Sequence, residues 1–314
     1  MKLKFGKLAS AVALATLAIG SVQAKEGGDQ YPNGAETWLA GALPPPGNYF
    51  LNYFGYYSGD LVDGGGKKVP GAGVDAWFNA FRFVQITEHK ILGGNWGWHV
   101  IVPVVHQDVN LGFGGKSKVG LGDITVNPFV LSWHTKNWHW AAALDINLPV
   151  GAYKSGDPRT SIGANYWSVE PIFAFTYLGD TGWEVSAKFM YNIKSKNKDF
   201  RQPLAFSDPK ATHESGDEFH MDYLVGKRFG PWAVGLSGYY LKQTTNDKVN
   251  GQTIGVGPGG IWSEGRKGEV FAIGPTVSYT TKGGVHFTGQ WNRETSAENR
   301  FEGDKFILKL IMPL

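Results

Sequence analysis

The groups able to do chemistry in this chain are its 8 histidines, its carboxylates and its serines, because it has no cysteine. That absence removes disulfides, thiolate metal sites, cysteine nucleophiles and a lipidated cysteine. Two histidine spacings invite a metal reading. His134 and His139 flank a short polar turn beside Trp133, Trp138 and Trp140, a setting that favours interfacial side chains over metal ligands. His213 lies in a polar connection, and His220 opens an alternating segment with Asp222 on the same parity, which favours interior polarity over a metal centre. Paired acids could act as general acid and base, and the candidates are Asp123 with Asp145 and Glu170 with Glu184. Interior hydrogen bonding is the role favoured for them. A lipid hydrolase would need a serine activated by histidine on the outer face of a barrel. Ser168, Ser186, Ser237 and Ser278 instead fall on the inward parity of their segments, and no Gly-x-Ser-x-Gly elbow sits between a strand and a helix. The chain therefore reads as a non-enzyme with no cofactor and no metal site.

The elements that must position these residues alternate with a period of two. In Trp138 to Val150, the residues Trp138, Trp140, Ala142, Leu144, Ile146, Leu148 and Val150 share one parity; His139, Asp145 and Asn147 stand on the other. Such a segment is a strand with one apolar and one polar face. The segment from Trp183 repeats the pattern, with Glu184, Ser186, Lys188, Asn192 and Lys194 all on one side. Strands of this kind are expected at Tyr49–Tyr57, Ala76–Thr87, Trp96–Gln107, Val119–Trp133, Trp138–Val150, Tyr166–Tyr177, Trp183–Lys194, Phe219–Phe229, Trp232–Thr245, Glu269–Thr280, Val285–Thr295 and Asp304–Leu314. Each is near the length of a tilted membrane strand. The longest aliphatic run, Val100 to Val105, is interrupted by Pro103.

Long, Gly-rich connections alternate with short turns between these segments, and the chain stops inside an apolar strand carrying Phe306, Leu308, Leu310, Met312 and Leu314 on one parity. With an even strand number, these features predict an all-β, transmembrane antiparallel β-barrel of about 12 strands whose last strand pairs with its first. Trp96, Trp98, Trp133, Trp138, Trp140, Trp167, Trp183 and Trp232 fall near strand ends, where interfacial girdles form. A soluble β-sandwich would put large residues on the inner face of every strand and charge on the outside; here the second face is small and polar. Pro103, Pro128, Pro171 and Pro275 lie within the expected strands and blur their registers.

The first residues agree with that destination. Lys2, Lys4 and Lys7 precede an apolar stretch from Leu8 to Ile19 that ends in Val22-Gln23-Ala24, the pattern of a secretory signal peptide at residues 1–24. Lys and Arg number 30 and Asp and Glu 27 in the whole chain; those three lysines are the surplus, so the remainder is neutral and carries no basic face for nucleic acid. Charged residues make up 18% of the chain and aromatics 14%, against about 25% charged in an ordinary soluble domain. Residues 25–48 are too apolar for a free tail: Trp38, Leu39, Leu43 and the stiff run Pro44, Pro45 and Pro46 make them a candidate plug, or else a periplasmic segment under a barrel at 49–314.

Twelve strands give a bore narrower than that of the open porins. The inward parity offers Asp145, Asn147, Glu170, Glu184, Lys188, His220, Asp222, Arg228, His286, Gln290 and Asn292 as polar contacts, with Tyr166 and Tyr239 as stacking platforms for an aromatic solute. A passive channel for small hydrophobic solutes in the outer membrane follows, with both termini in the periplasm. Its partners would be outer-membrane lipid, lipopolysaccharide and the barrel-assembly machinery. A sealed structural or adhesive barrel working through its loops is the alternative, and the lipid hydrolase a more distant one.

Several stretches also carry a resemblance. Tyr31-Pro32-Asn33-Gly34-Ala35-Glu36 followed by Leu39 to Gly47, Gly120-Leu121-Gly122-Asp123, Asn165 to Pro171, and Ser215-Gly216 with Glu218, His220, Asp222 and Tyr223 resemble positions of the phenol meta-pathway outer-membrane family. The resemblance implies uptake of phenols and other aromatics and brings no substrate-binding residues with it.

Overall fold

The computed structural model describes residues 29–112, 114–201, 210–256 and 262–314. The expected signal peptide and residues 25–28 lie outside the described residues. The strands are β1 (Gly47–Val62), β2 (Lys68–Ile91), β3 (Gly94–Leu111), β4 (Gly115–Leu121), β5 (Ile124–His134), β6 (Trp138–Leu148), β7 (Ser168–Leu178), β8 (Trp183–Lys194), β9 (Asn197–Phe200), β10 (Ala211–Glu214), β11 (Glu218–Phe229), β12 (Trp232–Gln243), β13 (Lys248–Val249), β14 (Gln252–Thr253), β15 (Glu269–Thr280), β16 (His286–Glu298) and β17 (Arg300–Pro313). One sheet runs in the order β2-β1-β17-β16-β15-β12-β11-β8-β7-β6-β5-β3-β4 and closes through pairing of β2 with β3. β4 lies along Val104–Asn110 of β3 and β5 along Asn95–Ile101, so the two share one place in the wall. The result is a closed antiparallel barrel of 12 strands. A small sheet of β14, β13, β10 and β9 stands in the long connections.

The strand expected at Val119–Trp133 is split into β4 and β5. The break falls at Gly122, which lies so close to Pro103 that a Cβ would meet its ring at 2.9 Å, and whose N–H donates to the Pro103 carbonyl at 2.9 Å. Asp123 next to it turns its carboxylate to the backbone N–H groups of Gly151 at 3.0 Å and Ala164 at 2.9 Å. The Gly-Leu-Gly-Asp stretch thus ties a long connection back to the wall. The four prolines fall where one neighbouring ladder is missing, as a residue without an N–H requires. Pro103 sits between the stretches of β3 paired with β5 and β4, and Pro128 at a one-residue bulge against β6. Pro171 and Pro275 lie in gaps of the β7–β8 and β15–β16 ladders that leave the register unchanged.

β17 closes the barrel on β1 from Tyr49↔Pro313 to Val62↔Arg300. Its outward side chains Phe306 and Leu308, and Phe173, Val225 and Leu236 on other strands, are exposed, while their sequence neighbours are buried. Large apolar residues on the outside and polar ones within invert a soluble protein and match a wall that faces lipid. Trp138, Trp167, Trp183 and Trp232 are all exposed, as a girdle requires.

Candidate functional site

The interior of the barrel has two unlike sides. On β7, β8, β11, β15 and β16 most inward residues are polar, and they hold residues 30–41 of the chain itself. Asp222 accepts hydrogen bonds from the Gly34 N–H at 2.7 Å, the Glu36 N–H at 3.1 Å and the Tyr31 hydroxyl at 2.5 Å. Glu184 takes the Leu39 N–H at 2.6 Å and also the guanidinium of Arg228, with Nε at 3.0 Å. Thr176 accepts from the Gly41 N–H, and the Thr37 hydroxyl donates to Gln290. A segment with so few hydrogen bonds of its own must find wall partners for its backbone. Trp38 is buried and donates from Nε1 to Thr276 at 2.8 Å. Its ring lies against Gly226, where a Cβ would come within 2.3 Å, so this wall position has to be glycine. From the opposite direction Glu36 receives Arg82 Nη1 at 2.7 Å and Lys309 Nζ at 3.0 Å.

On β1, β2 and β3 the inward residues are apolar. Tyr53, Ala76, Phe78, Ala80, Ile101 and Val105 line a cavity of about 690 Å³. The lining reaches Gly284 and His286 beside a short turn and Leu61, Leu111 and Gly268 beside the long connections, so the space borders both ends of the strands. Leu39, Leu43 and Pro44 present their side chains to it, and Pro45 and Pro46 are exposed.

The expected interior parity matches the placement of each polar candidate on the strands. Asp145, Asn147, Glu170, Glu184, Lys188, His220, Asp222, Tyr239, His286, Gln290 and Asn292 are all buried, and Arg228 is partly so. Tyr166 is buried just before β7 rather than on it. These residues divide into two groups. Asp145, Asn147, Glu170, Lys188, Arg228 and His286 border the cavity. Glu184, Asp222 and Gln290 hold the N-terminal segment, His220 bonds Asn33 at 2.6 Å, and the Tyr239 hydroxyl donates to Glu294 at 2.6 Å.

The pairs considered for chemistry part company. His134 and His139 meet at a turn with their Nδ1 atoms 3.0 Å apart. His213 stacks on Phe200 in the small sheet, whereas His220 stands in the barrel wall on β11 and bonds Asn33. Asp123 serves the connection described above, and Asp145 accepts from Asn127 at 2.6 Å. Glu170 accepts from Asn192 at 2.7 Å, while Glu184 sits at the other end of the β7–β8 ladder. Asp145 and Glu170 are instead direct cross-strand neighbours. Ser168, Ser186, Ser237 and Ser278 are buried on the inner side.

Sequence reasoning missed Arg82, Lys309, His99 and Glu36. His99 Nδ1 lies 3.0 Å from Arg82 and its Nε2 3.1 Å from Asp145, extending one polar row across the apolar side. A single charge on an otherwise apolar inward parity was the available signal for Arg82: Ala76, Phe78, Ala80, Arg82, Val84.

Residues 58–310 match the family described as "Putative MetA-pathway of phenol degradation". The chain belongs to this family. The matched span begins after the Tyr31–Gly47 segment. No curated protein matches the sequence. Among solved structures, an outer membrane channel from Pseudomonas putida F1 is similar with a TM-score of 0.72 at 15% identity, covering 87% of this chain and 97% of that one. The β domain of the Bordetella autotransporter BrkA follows at a TM-score of 0.49 and 12% identity, over 86% of this chain and 100% of that domain. The first likeness shows the fold, an outer-membrane barrel. In this member of the phenol-degradation family, several residues of the stretches that carried the resemblance make interior or connection contacts. Gly216 donates to Asp247 at 2.7 Å, Glu218 pairs with Lys194 at 2.8 Å, and Asp222 grips the N-terminal segment.

Proposed function

We propose that this protein is an outer-membrane channel for passive entry of small hydrophobic or aromatic compounds. The observation that carries the reading is the cavity along β1–β3, whose wall is apolar and whose lining includes residues from both ends of the strands. Its volume of about 690 Å³ lies in the range of small-molecule sites. Membership of a phenol-degradation family supports the aromatic class. An apolar path with few polar contacts gives weak, escapable binding, which flux requires. On this reading residues 1–24 are the signal peptide, residues 25–48 a plug anchored to the polar wall, and residues 49–314 the barrel, with both termini periplasmic. The remaining interior polar residues Asp145, Asn147, Glu170, Lys188, Arg228 and His286 flank the path. Lipid, lipopolysaccharide and the barrel-assembly machinery are its partners, and no catalytic step is involved. The test is a charge placed on the apolar wall. Ala76→Arg should lower uptake of labelled toluene into proteoliposomes at least severalfold; unchanged uptake would move the path elsewhere.

A further inference from the structure

Most acids around the cavity have their oxygens occupied by the protein. Glu36 takes Arg82 and Lys309, Asp123 takes Gln30 and two backbone N–H groups, and Glu294 takes Tyr57 and Tyr239. Asp222 and Asp145, the acids near Lys188, are likewise engaged by Tyr31, Gly34, Glu36 and Asn127.

Lys188 differs from them. It stands on β8 between Ala174 and Asp222, is 8% exposed and borders the cavity. Its Nζ lies 4.2 Å from the centre of the Tyr31 ring and makes no hydrogen bond or ion pair to a described residue. A ring face attracts an ammonium but accepts none of its three N–H bonds well. The neighbouring carboxylates offset the charge while taking none of its N–H bonds, so those donors are free for a solute or water in the cavity. Lys188 thus offers the cavity a donor, while Glu170, whose Oε1 has no hydrogen-bond partner among the described residues, offers it an acceptor.

We propose that Lys188, braced on Tyr31, is a solute-binding contact in this cavity, and that it selects small aromatic molecules bearing an acceptor oxygen, a carboxylate or a ketone, over plain hydrocarbons. The oxygen accepts from Nζ, and the ring lies in the apolar space lined by Ala80, Ile101 and Ile172. The inference rests on the channel reading and adds to it a head-group preference.

Equilibrium dialysis of the full mature chain in nanodiscs, with empty nanodiscs subtracted, tests it using labelled benzoate, acetophenone and toluene. Lys188→Met should weaken benzoate and acetophenone about tenfold or more, the worth of a hydrogen bond to a charged group, and leave toluene unchanged. Lys188→Arg should retain all three. Loss of benzoate alone would assign the contact to anions, and loss of both oxygenated probes to acceptors in general; each supports the proposal. If Lys188→Met loses toluene as well, the barrel has been disturbed and Lys188→Gln decides, with benzoate weakened and toluene held. Equal binding of the three probes by the wild type and by Lys188→Met or Lys188→Gln would overturn the proposal and leave the channel standing. Failure of wild-type proteoliposomes to pass any of the three would remove both.

Discussion

Glu36 is the residue on which the two sides of the interior meet. Its carboxylate is shared by Arg82 from β2 and Lys309 from β17, and its N–H goes to Asp222 of β11. Removing one partner of a buried ion pair costs about 3–5 kcal/mol because the other charge stays buried and unpaired. Glu36→Gln is therefore expected to lower the thermal unfolding midpoint followed by circular dichroism, whereas an unchanged midpoint would show these cations to be solvated. At this scale, legibility depended on contrast between the faces of a strand. On β8 and β16 the outer face is apolar and the inner polar, so Glu184, Lys188, Gln290 and Asn292 could be placed from parity alone. On β2 and β3 both faces are apolar, one for lipid and one for the cavity. The run Val100 to Val105 has no polar residue on either parity for that reason, and Arg82 and His99 were hidden among apolar neighbours. Glu36 and Asn33 could not be read as contacts at all, since their wall partners stand on strands far along the chain, His220 being 187 residues from Asn33 and Lys309 273 residues from Glu36.

The elements themselves were more readable. The expected Trp183–Lys194 and Glu269–Thr280 coincide with β8 and β15, because tight turns and apolar girdles mark strand ends in membrane barrels. The strand at Val119–Trp133 misled because alternation is blind to a break at Gly122 and Asp123, whose contacts are with Pro103 on a neighbouring strand and with the backbone of Gly151 and Ala164. Two predictions belong to elements. The N-terminal segment fills the polar half of the bore, so deleting Asp29 to Pro46 should raise single-channel conductance in planar bilayers; an unchanged value would mean the segment does not limit the bore. In the connection after β12, burial pushes the Asp247 carboxyl up to about 8, although it accepts from the Gly216 N–H and from Gln243. Lys194 opposes the rise and Glu218 adds to it. A raised acid keeps its proton in the folded state over a range where the unfolded chain has lost it. Its contribution to stability is thus greatest in acid and falls as pH climbs from the usual carboxylate range through about 8. Hydrogen-exchange protection around residues 245–254, corrected for intrinsic rates, should decline over that interval, and Asp247→Asn should flatten the decline.

At the scale of the whole molecule, a chain rich in aromatics and poor in charge becomes a closed wall that is apolar outside and divided inside. Closure of β17 on β1 joins the first long strand to the last, so the barrel has no open seam there. The chain's own N-terminal segment then occupies the polar half, and what is left open is the apolar half. That division is the physical basis of the proposed path for small hydrophobic or aromatic solutes. It separates this account from a sealed barrel acting through its loops, which would share the wall and the girdles but carry no flux. The most direct test is uptake of labelled toluene into proteoliposomes with a lipopolysaccharide-containing outer leaflet, against protein-free liposomes of the same composition, with a charged dye trapped inside. The account predicts faster toluene entry with the dye retained. Toluene entry equal to that of the protein-free liposomes, or entry accompanied by loss of the dye, would contradict it.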